Sequence, residues 1–329
     1  MPRFSRAALW RRGLAALAMA VSCSVGAAGF PDHPITVVVP YPPGGAADLS
    51  GRAIANALQG SLKSTAVVEN RPGAGGNIGM AYVARSKPDG YTLGLGTIGT
   101  QSINQFLYAN MPFDPERDLV PIALVSVTPN VLAVSAKSPY KTLQDVIAAA
   151  RDTRGKKMSY ASPGIGSSVH LTGAYFASVA HLDLLHVPFK GTSASLPAVA
   201  GGQVDLLFDN LPGALAQIKD GSLVRGIAVT SLQRNPSVPD LPTFAESGLP
   251  GFDVTAWFAL YAPHGTPPAV VDRLIAAARE GLKAPEVAAS FATMGAQPGT
   301  LFGDDLAAFE RTERQKWGAV VKQQGITAQ

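Results

Sequence analysis

Cysteine is all but missing from this chain of 329 residues. The single copy, Cys23, lies in an apolar leader, so the chain without its leader has no thiol, and disulfides, thiolate catalysis and cysteine-ligated metal are excluded together. Cys23 can be read as a lipid-attachment residue, but Ala20-Val21-Ser22 before it fit that use poorly. Net charge is the second absence. Arg3, Arg6, Arg11 and Arg12 sit in the first 28 residues with no acid, leaving 23 basic residues against 23 acidic ones. The formal +4 of the whole chain therefore belongs to the leader and gives no reason to propose nucleic acid or an anionic membrane as partner. Long apolar runs are missing too: after the leader nothing approaches the roughly 18 residues that a membrane span requires. The five histidines are scattered without HxH or HExxH, and no GxSxG elbow occurs. His181 and His186 read as structural rather than as zinc ligands. Ser168 and His170 are two apart and diverge by about 200° on a helix, so they do not form a nucleophile–base pair.

What is present begins with the leader. The arginines, the apolar stretch from Gly13 to Ala27 and the small residues Gly26-Ala27-Ala28 make a secretory signal over residues 1–28, cleaved near Ala28. Arg11-Arg12-Gly13-Leu14 also resembles a twin-arginine signal with poor flanks, so both export routes stay open. The expected location is the periplasm.

Beyond it, strand-length apolar runs alternate with helix-period segments, the pattern of an α/β fold with a largely parallel sheet. Strands are expected at 35–39, 65–69, 91–96, 157–161, 182–187, 204–208 and 223–230. Helices are expected at 46–59, 76–86, 142–151, 167–180, 193–200, 211–219, 269–282, 285–294 and 304–323. The β-like stretch Leu119–Ala136, broken only by Thr128-Pro129-Asn130, is unusually long and reads as a crossing between lobes; Val254–Ala262 reads as the return. Hinges are expected near Thr128 and Trp257. The Pro- and Gly-rich segment Asn235–Phe252 reads as a surface connection.

Two glycine turns, Pro42-Pro43-Gly44-Gly45 and Ser162-Pro163-Gly164-Ile165-Gly166-Ser167-Ser168, each follow a strand and open a helix. Unpaired N–H groups of a first helical turn, with the positive end of the dipole, form an anion site, and glycine lets a ligand approach the backbone. The turns lie about 120 residues apart, so they are expected on different lobes, gripping one anion from both sides. Ser167 can equally be an ordinary N-cap. Asp48, in the first turn of its helix, is expected to serve the dipole rather than the ligand. The glycine run of 69–79 follows a strand but lacks dinucleotide-loop spacing, so no cofactor is expected.

Taken jointly, VVVPYPPGGAAD at 37–48, VENRPGAGGNIG at 68–79, KPDGYTL at 87–93, YASPGIGSSVHLTG at 160–173, HVPFKGT at 186–192, GGQVDLLFDN at 201–210, LPTFAESGLPGF at 241–252 and WFALYAPHGTP at 257–267 resemble the tripartite tricarboxylate transporter substrate-binding proteins, the Bug or TctC-like receptors. The resemblance spans the chain after its leader. It implies a periplasmic-binding-protein-like (Venus flytrap) clamp in which each lobe is a mixed, mainly parallel sheet flanked by helices. Lobe 1 would comprise 29–127 and 254–329, and lobe 2 would comprise 128–253. It implies a monomeric, non-enzymatic receptor without cofactor or metal, which hands a small carboxylate to integral-membrane permease subunits. The carboxylate would be held by N–H groups, hydroxyls and waters at Tyr41, Gly44, Gly45 and Ala46 of one lobe and Ser162, Gly164, Gly166, Ser167 and Ser168 of the other. Lys190, Asp209 and Asn210, with Phe189 and Gly191, are weaker candidates for the distal part of the ligand. The competing reading is an exported enzyme acting on a small carboxylate from a similar fold.

Overall fold

The computed structural model describes residues 29–152 and 156–324; the leader, with Cys23 and the arginine pair, lies outside the described residues. Strand β1 (Ile35–Val39) has Val37, Val38 and Val39 fully buried, as a strand covered on both faces must. It lies between β2 (Ala66–Asn70) and β3 (Thr92–Thr97), parallel to both. The connections are helix α1 (Ala46–Leu62), between β1 and β2, and α2 (Asn77–Ala84), between β2 and β3. After β3 the chain makes a π-helical turn at Gly99–Ile103 and a short helix α3 (Asn104–Leu107), a turn that no hydrophobic period announces.

Strand β4 (Leu119–Ser135) then runs through the whole molecule. Its residues 119–129 pair antiparallel with β9 (Thr255–Pro263), which in turn pairs antiparallel with β3. Its residues 130–135 pair antiparallel with β7 (Leu206–Asn210) and β8 (Val224–Val229). Beyond β7 come β5 (Ser159–Ser162) and β6 (Leu185–Pro188), joined in parallel. The sheet is thus mixed: parallel in the outer strands of each half, antiparallel around β4 and β9.

Helix α4 (Leu143–Arg151) follows β4 and begins with a full capping box, Thr142 accepting from Asp145 N–H and the Asp145 carboxylate accepting from Thr142 N–H. In the second half α5 (Ser168–Val179), α6 (Thr192–Ala200) and α7 (Leu211–Asp220) link successive strands. Helices α8 (Pro268–Gly281) and α9 (Pro285–Thr293), the two-residue β10 (Gln297–Pro298) and α10 (Asp304–Gln324) complete the first half. α10 docks through Trp317, whose indole N–H and that of Trp257 both donate to Glu313, at 3.1 and 3.0 Å.

β4 enters the second half at Asn130, and the chain returns to the first at Val254, both beside Thr230. The Thr230 hydroxyl accepts from Asn130 N–H at 2.9 Å and faces the Val254 carbonyl at 2.6 Å, while Val254 N–H donates to the Thr230 carbonyl. The sequence reading puts the lobe boundaries at 127/128 and 253/254 with hinges near Thr128 and Trp257, and does not show that Thr230 ties the two connections together. Asn235–Phe252 is more than a surface connection: Phe244 and Phe252 are fully buried and stacked at 4.7 Å, with Phe176 of α5 edge-on to Phe244 at 5.5 Å.

Candidate functional site

The halves meet across a cleft in which glycines of one face backbone of the other. A methyl on Gly75 would lie 2.6 Å from the Ile165 carbonyl oxygen, and one on Gly99 would lie 2.5 Å from that of Gly166. The Tyr108 hydroxyl donates to the same Ile165 carbonyl at 3.4 Å. Behind these contacts is a tight inner cavity with about 30 Å³ of free volume, and in front of them an outer cleft of about 540 Å³. Tyr41, Pro42, Pro163 and Gly191 line both and form the neck between them.

Four helix N-termini open on the inner cavity: α1 at Gly45–Ala47, α5 at Ser167 and Ser168, α6 at Gly191 and Thr192, and α7 at Asn210. Those of α1, α6 and α7 have no side-chain cap bonded to them. Each carries the equivalent of roughly half a positive charge. No lysine or arginine lines this cavity. The arrangement therefore attracts an anion through backbone dipoles, supplemented by hydroxyls, and Phe258 and Ile98 close one side with apolar surface.

The first glycine turn is held by Asp48. Its buried carboxylate accepts from Gly44 N–H at 3.1 Å, Arg52 Nε at 3.0 Å and Asn70 Nδ2 at 3.0 Å. Burial works against its ionisation, but the bonds from Arg52, Asn70 and Gly44 keep its pKa below the usual carboxylate range. The N–H of Gly44 is thereby used within the turn, and Gly44, at φ +90°, shapes the backbone without lining the cavity. The Tyr41 hydroxyl donates to the Gly75 carbonyl at 3.2 Å, and burial raises the phenol pKa, so it remains a donor.

The second turn rests on two stacked histidines. His170 and His186 lie 4.0 Å apart, and Tyr160 stacks on His186. Ser162 Oγ bonds His186 Nε2 at 2.7 Å, and His170 Nδ1 accepts from Gly166 N–H at 3.4 Å. Burial pushes His170 down to about 4 and His186, with the neighbouring His170, to about 3. Both imidazoles are therefore neutral at ordinary pH, as acceptance of an N–H by His170 requires. Ser167 is the N-cap, accepting from His170 N–H at 3.1 Å and donating to the Gly164 carbonyl at 2.7 Å, yet it also lines the cavity. Ser168 lines it and accepts from Asn210 Nδ2 at 3.4 Å.

The residues assigned from sequence to the distal ligand separate. Lys190 is exposed and faces the outer cleft with Phe189 and Gly164. Asn210 and Gly191 instead join the inner cavity, because β7 and the β6–α6 loop end beside the glycine turns. Asp209 lines neither chamber; its side chain turns back to Thr192. Ser162 and Gly166 are likewise behind the wall. Sequence reasoning missed Thr97 and Thr192. Thr97 had a local signal, the T-x-x-T of Thr97 and Thr100 after a strand, where each threonine's hydroxyl accepts the other's N–H.

The Tripartite tricarboxylate transporter family receptor profile matches residues 51–326. The chain belongs to this family. Among solved structures, the periplasmic binding protein BugD is 35% identical, superposing with a TM-score of 0.85 over 91% of this chain and 100% of its own. Rpa4515 of R. palustris, solved with adipate, is 34% identical with a TM-score of 0.86 over 91% of this chain and 99% of its own. MatC from Rhodopseudomonas palustris, solved with bound malate, is 32% identical with a TM-score of 0.83 over 89% of this chain and 100% of its own. The fold is that of the periplasmic binding proteins. Among the described residues of this family member no helix is long and apolar enough to cross a membrane.

Proposed function

We propose that this receptor-family chain is a periplasmic solute-binding protein. It closes lobe 1 (29–127 and 254–329) and lobe 2 (128–253) on a small carboxylate and delivers it to the permease subunits of a tripartite transporter. The observation that carries this reading is the convergence of four helix N-termini on one cavity without an arginine or lysine. Tyr41, Gly45, Ala46, Ser167, Ser168 and Asn210 would face the carboxylate. Gly44, Ser162, Gly164 and Gly166 would shape the two turns, and Lys190 would meet whatever extends into the outer cleft. The adipate and malate of the two R. palustris structures favour the same ligand class.

One helix N-terminus contributes about 0.3–1 kcal/mol when exposed and up to ~2 when partly buried. Micromolar binding needs about 8 kcal/mol. Closure supplies the difference by excluding water and strengthening each N–H contact.

Ser162 and His186 form the bonded pair that an enzyme reading would seize on, but Ser162 is fully buried and lines neither chamber. An imidazole with a pKa of about 3 is also a poor general base near neutrality. The test is a thermal-shift screen of adipate, malate and related acids against their amides, since a ligand that binds only the native state raises the melting temperature by mass action. A shift for an acid and none for its amide supports the receptor; turnover of a bound acid, or silence across the panel, overturns it.

A further inference from the structure

Asp209 is a carboxyl set against an anion cavity with no cation to pair it. It is the penultimate residue of β7, next to Asn210, the N-cap of α7, and is 1% exposed. Its Oδ1 accepts from the Thr192 hydroxyl at 3.1 Å and from Asn210 N–H at 2.7 Å. Both donors belong to residues that line the inner cavity, so the carboxyl lies one hydrogen bond behind the wall. Its Oδ2 is buried and has no partner. An ionised carboxylate there leaves one oxygen unsolvated. It also sets a negative charge beside the anion the cavity is proposed to hold, in a site from which closure removes water. Finally, it draws the Thr192 hydroxyl and the N–H of Asn210, the N-cap of α7, away from that anion. A neutral carboxyl removes the charge and the cost of leaving it unsolvated, and loosens the hold of Oδ1 on both donors.

We propose that Asp209 couples capture to a proton: the closed, anion-holding state carries Asp209 as a neutral carboxyl, so binding a carboxylate takes up one proton from solvent at this residue. The proposal rests on the carboxylate-receptor reading above. Asp209 does not touch the ligand; it is a positioning residue acting through Thr192 and Asn210.

The surrounding groups do not compete for this role near neutrality. β4, which pairs Val131 with Asp209, and α6 carry no titratable side chain. α7 carries Lys219 and Asp220 only in its last turn, away from its N-terminus. β5 presents Tyr160, whose phenol pKa burial raises, while His170 of α5 and His186 of β6 stay neutral. Tyr175 of α5 packs on Phe252 instead. On β8, Arg225 bonds the carbonyls of Ala136, Ser138 and Tyr140 beyond the end of β4. On α1, which packs on α7, Asp48 and Arg52 are paired with each other. Lys190, in the loop before α6, is exposed toward the outer cleft.

The experiment is isothermal titration of the chain without its leader with adipate and with malate at pH 6, 7 and 8, for wild type, Asp209→Asn and Thr192→Val. Burial pushes the Asp209 carboxyl up to about 7. If only the neutral form admits the anion, the wild-type Kd rises about tenfold from pH 6 to pH 8, with proton uptake visible as a dependence on buffer ionisation enthalpy. Asp209→Asn, neutral at every pH and close in shape, binds with little pH dependence. Thr192→Val removes a donor to the ionised form and moves the midpoint to higher pH. A wild-type Kd unchanged between pH 6 and 8, or Asp209→Asn with the wild-type slope, overturns the proposal and leaves the receptor reading standing. If neither acid binds at any pH, the receptor reading fails and this proposal with it. Infrared spectra of wild type and Asp209→Asn saturated with carboxyl-labelled adipate at pH 6 give a second arm. Wild type should show a buried neutral carboxyl band that Asp209→Asn lacks, which separates it from Glu310, whose carboxyl burial also pushes up to about 7, and a wild-type spectrum no different from that of Asp209→Asn overturns the proposal as well.

Discussion

Replacing Gly99 with alanine should separate closing from folding. Gly99 opens the π-helical turn after β3 and is not among the residues with positive φ, so its backbone accepts an L side chain. At such a site Gly→Ala stabilises a protein by about 0.4–1 kcal/mol through the unfolded chain. Across the cleft, however, the new methyl would lie 2.5 Å from the Gly166 carbonyl oxygen, against ordinary contact beyond 3.4 Å. The halves must then part by roughly 1 Å, and overpacking of this kind costs about 1–3 kcal/mol. Because opening relieves the clash, that cost falls on the ligand-holding state alone. Affinity for a bound carboxylate should drop by about fivefold to a hundredfold, while urea unfolding of the solute-free protein shows equal or slightly greater stability. Calorimetric titration and denaturant curves on the same preparations check both halves of the statement. Wild-type affinity in the folded variant would refute closure across Gly99. A loss of 1–3 kcal/mol in the solute-free protein would refute the assignment of this contact to closure.

Three further outcomes follow from other parts of the structure. Glu313→Ala strands the indole N–H groups of Trp257 and Trp317 and should cost about 2–4 kcal/mol, read as a lower urea midpoint together with changed tryptophan emission. Thr142→Ala removes a capping box far from the cleft and should cost about 1 kcal/mol with unchanged carboxylate affinity, which makes it a control. Acid should loosen the second glycine turn. His170 is held near 4 when folded against 6.5 when unfolded, so its contribution is fully present above pH 6.5 and is lost as pH falls toward 4. That loss is about 3 kcal/mol for His170 alone, while the buried Asp209 and Glu310 carboxyls, both pushed up to about 7, act in the opposite direction over the same range; the difference between wild-type and His170→Phe melting curves from pH 7.5 to 4.5 isolates the histidine, and a difference that does not change with pH would contradict the burial argument.

The strand–helix order was legible because buried valines such as Val37 to Val39 and the helix-opening glycines act locally. The two glycine turns were legible for the same reason. What stayed hidden was long-range. Nothing in the order of residues says that β9 returns antiparallel between β3 and β4, nor that Thr230 ties Asn130 to Val254. The stacking of His170 on His186 depends on the register of β5 and β6, and so does the arrival of Asn210 and Gly191 beside Ser168. Asp209 and Asn210 are neighbours that looked alike as polar strand-end residues. Strand alternation turns one inward to Thr192 and leaves the other at the cavity wall. Thr97 escaped notice because the turn after β3 has neither apolar period nor glycine-turn spacing.

The knot at Thr230 has a consequence for engineering and for descent. Asn130 and Val254 both bond this one residue, so the continuous stretch 130–254 starts and ends at nearly the same point in space. Segments with adjacent ends can be inserted or exchanged without dragging the rest of the chain apart. Half of the cavity wall, including Ser168, Thr192 and Asn210, could thus be grafted as one uninterrupted cassette from a relative with a different solute. Such a chimera would keep the β1–α1 anion grip and inherit a new selectivity in a single recombination.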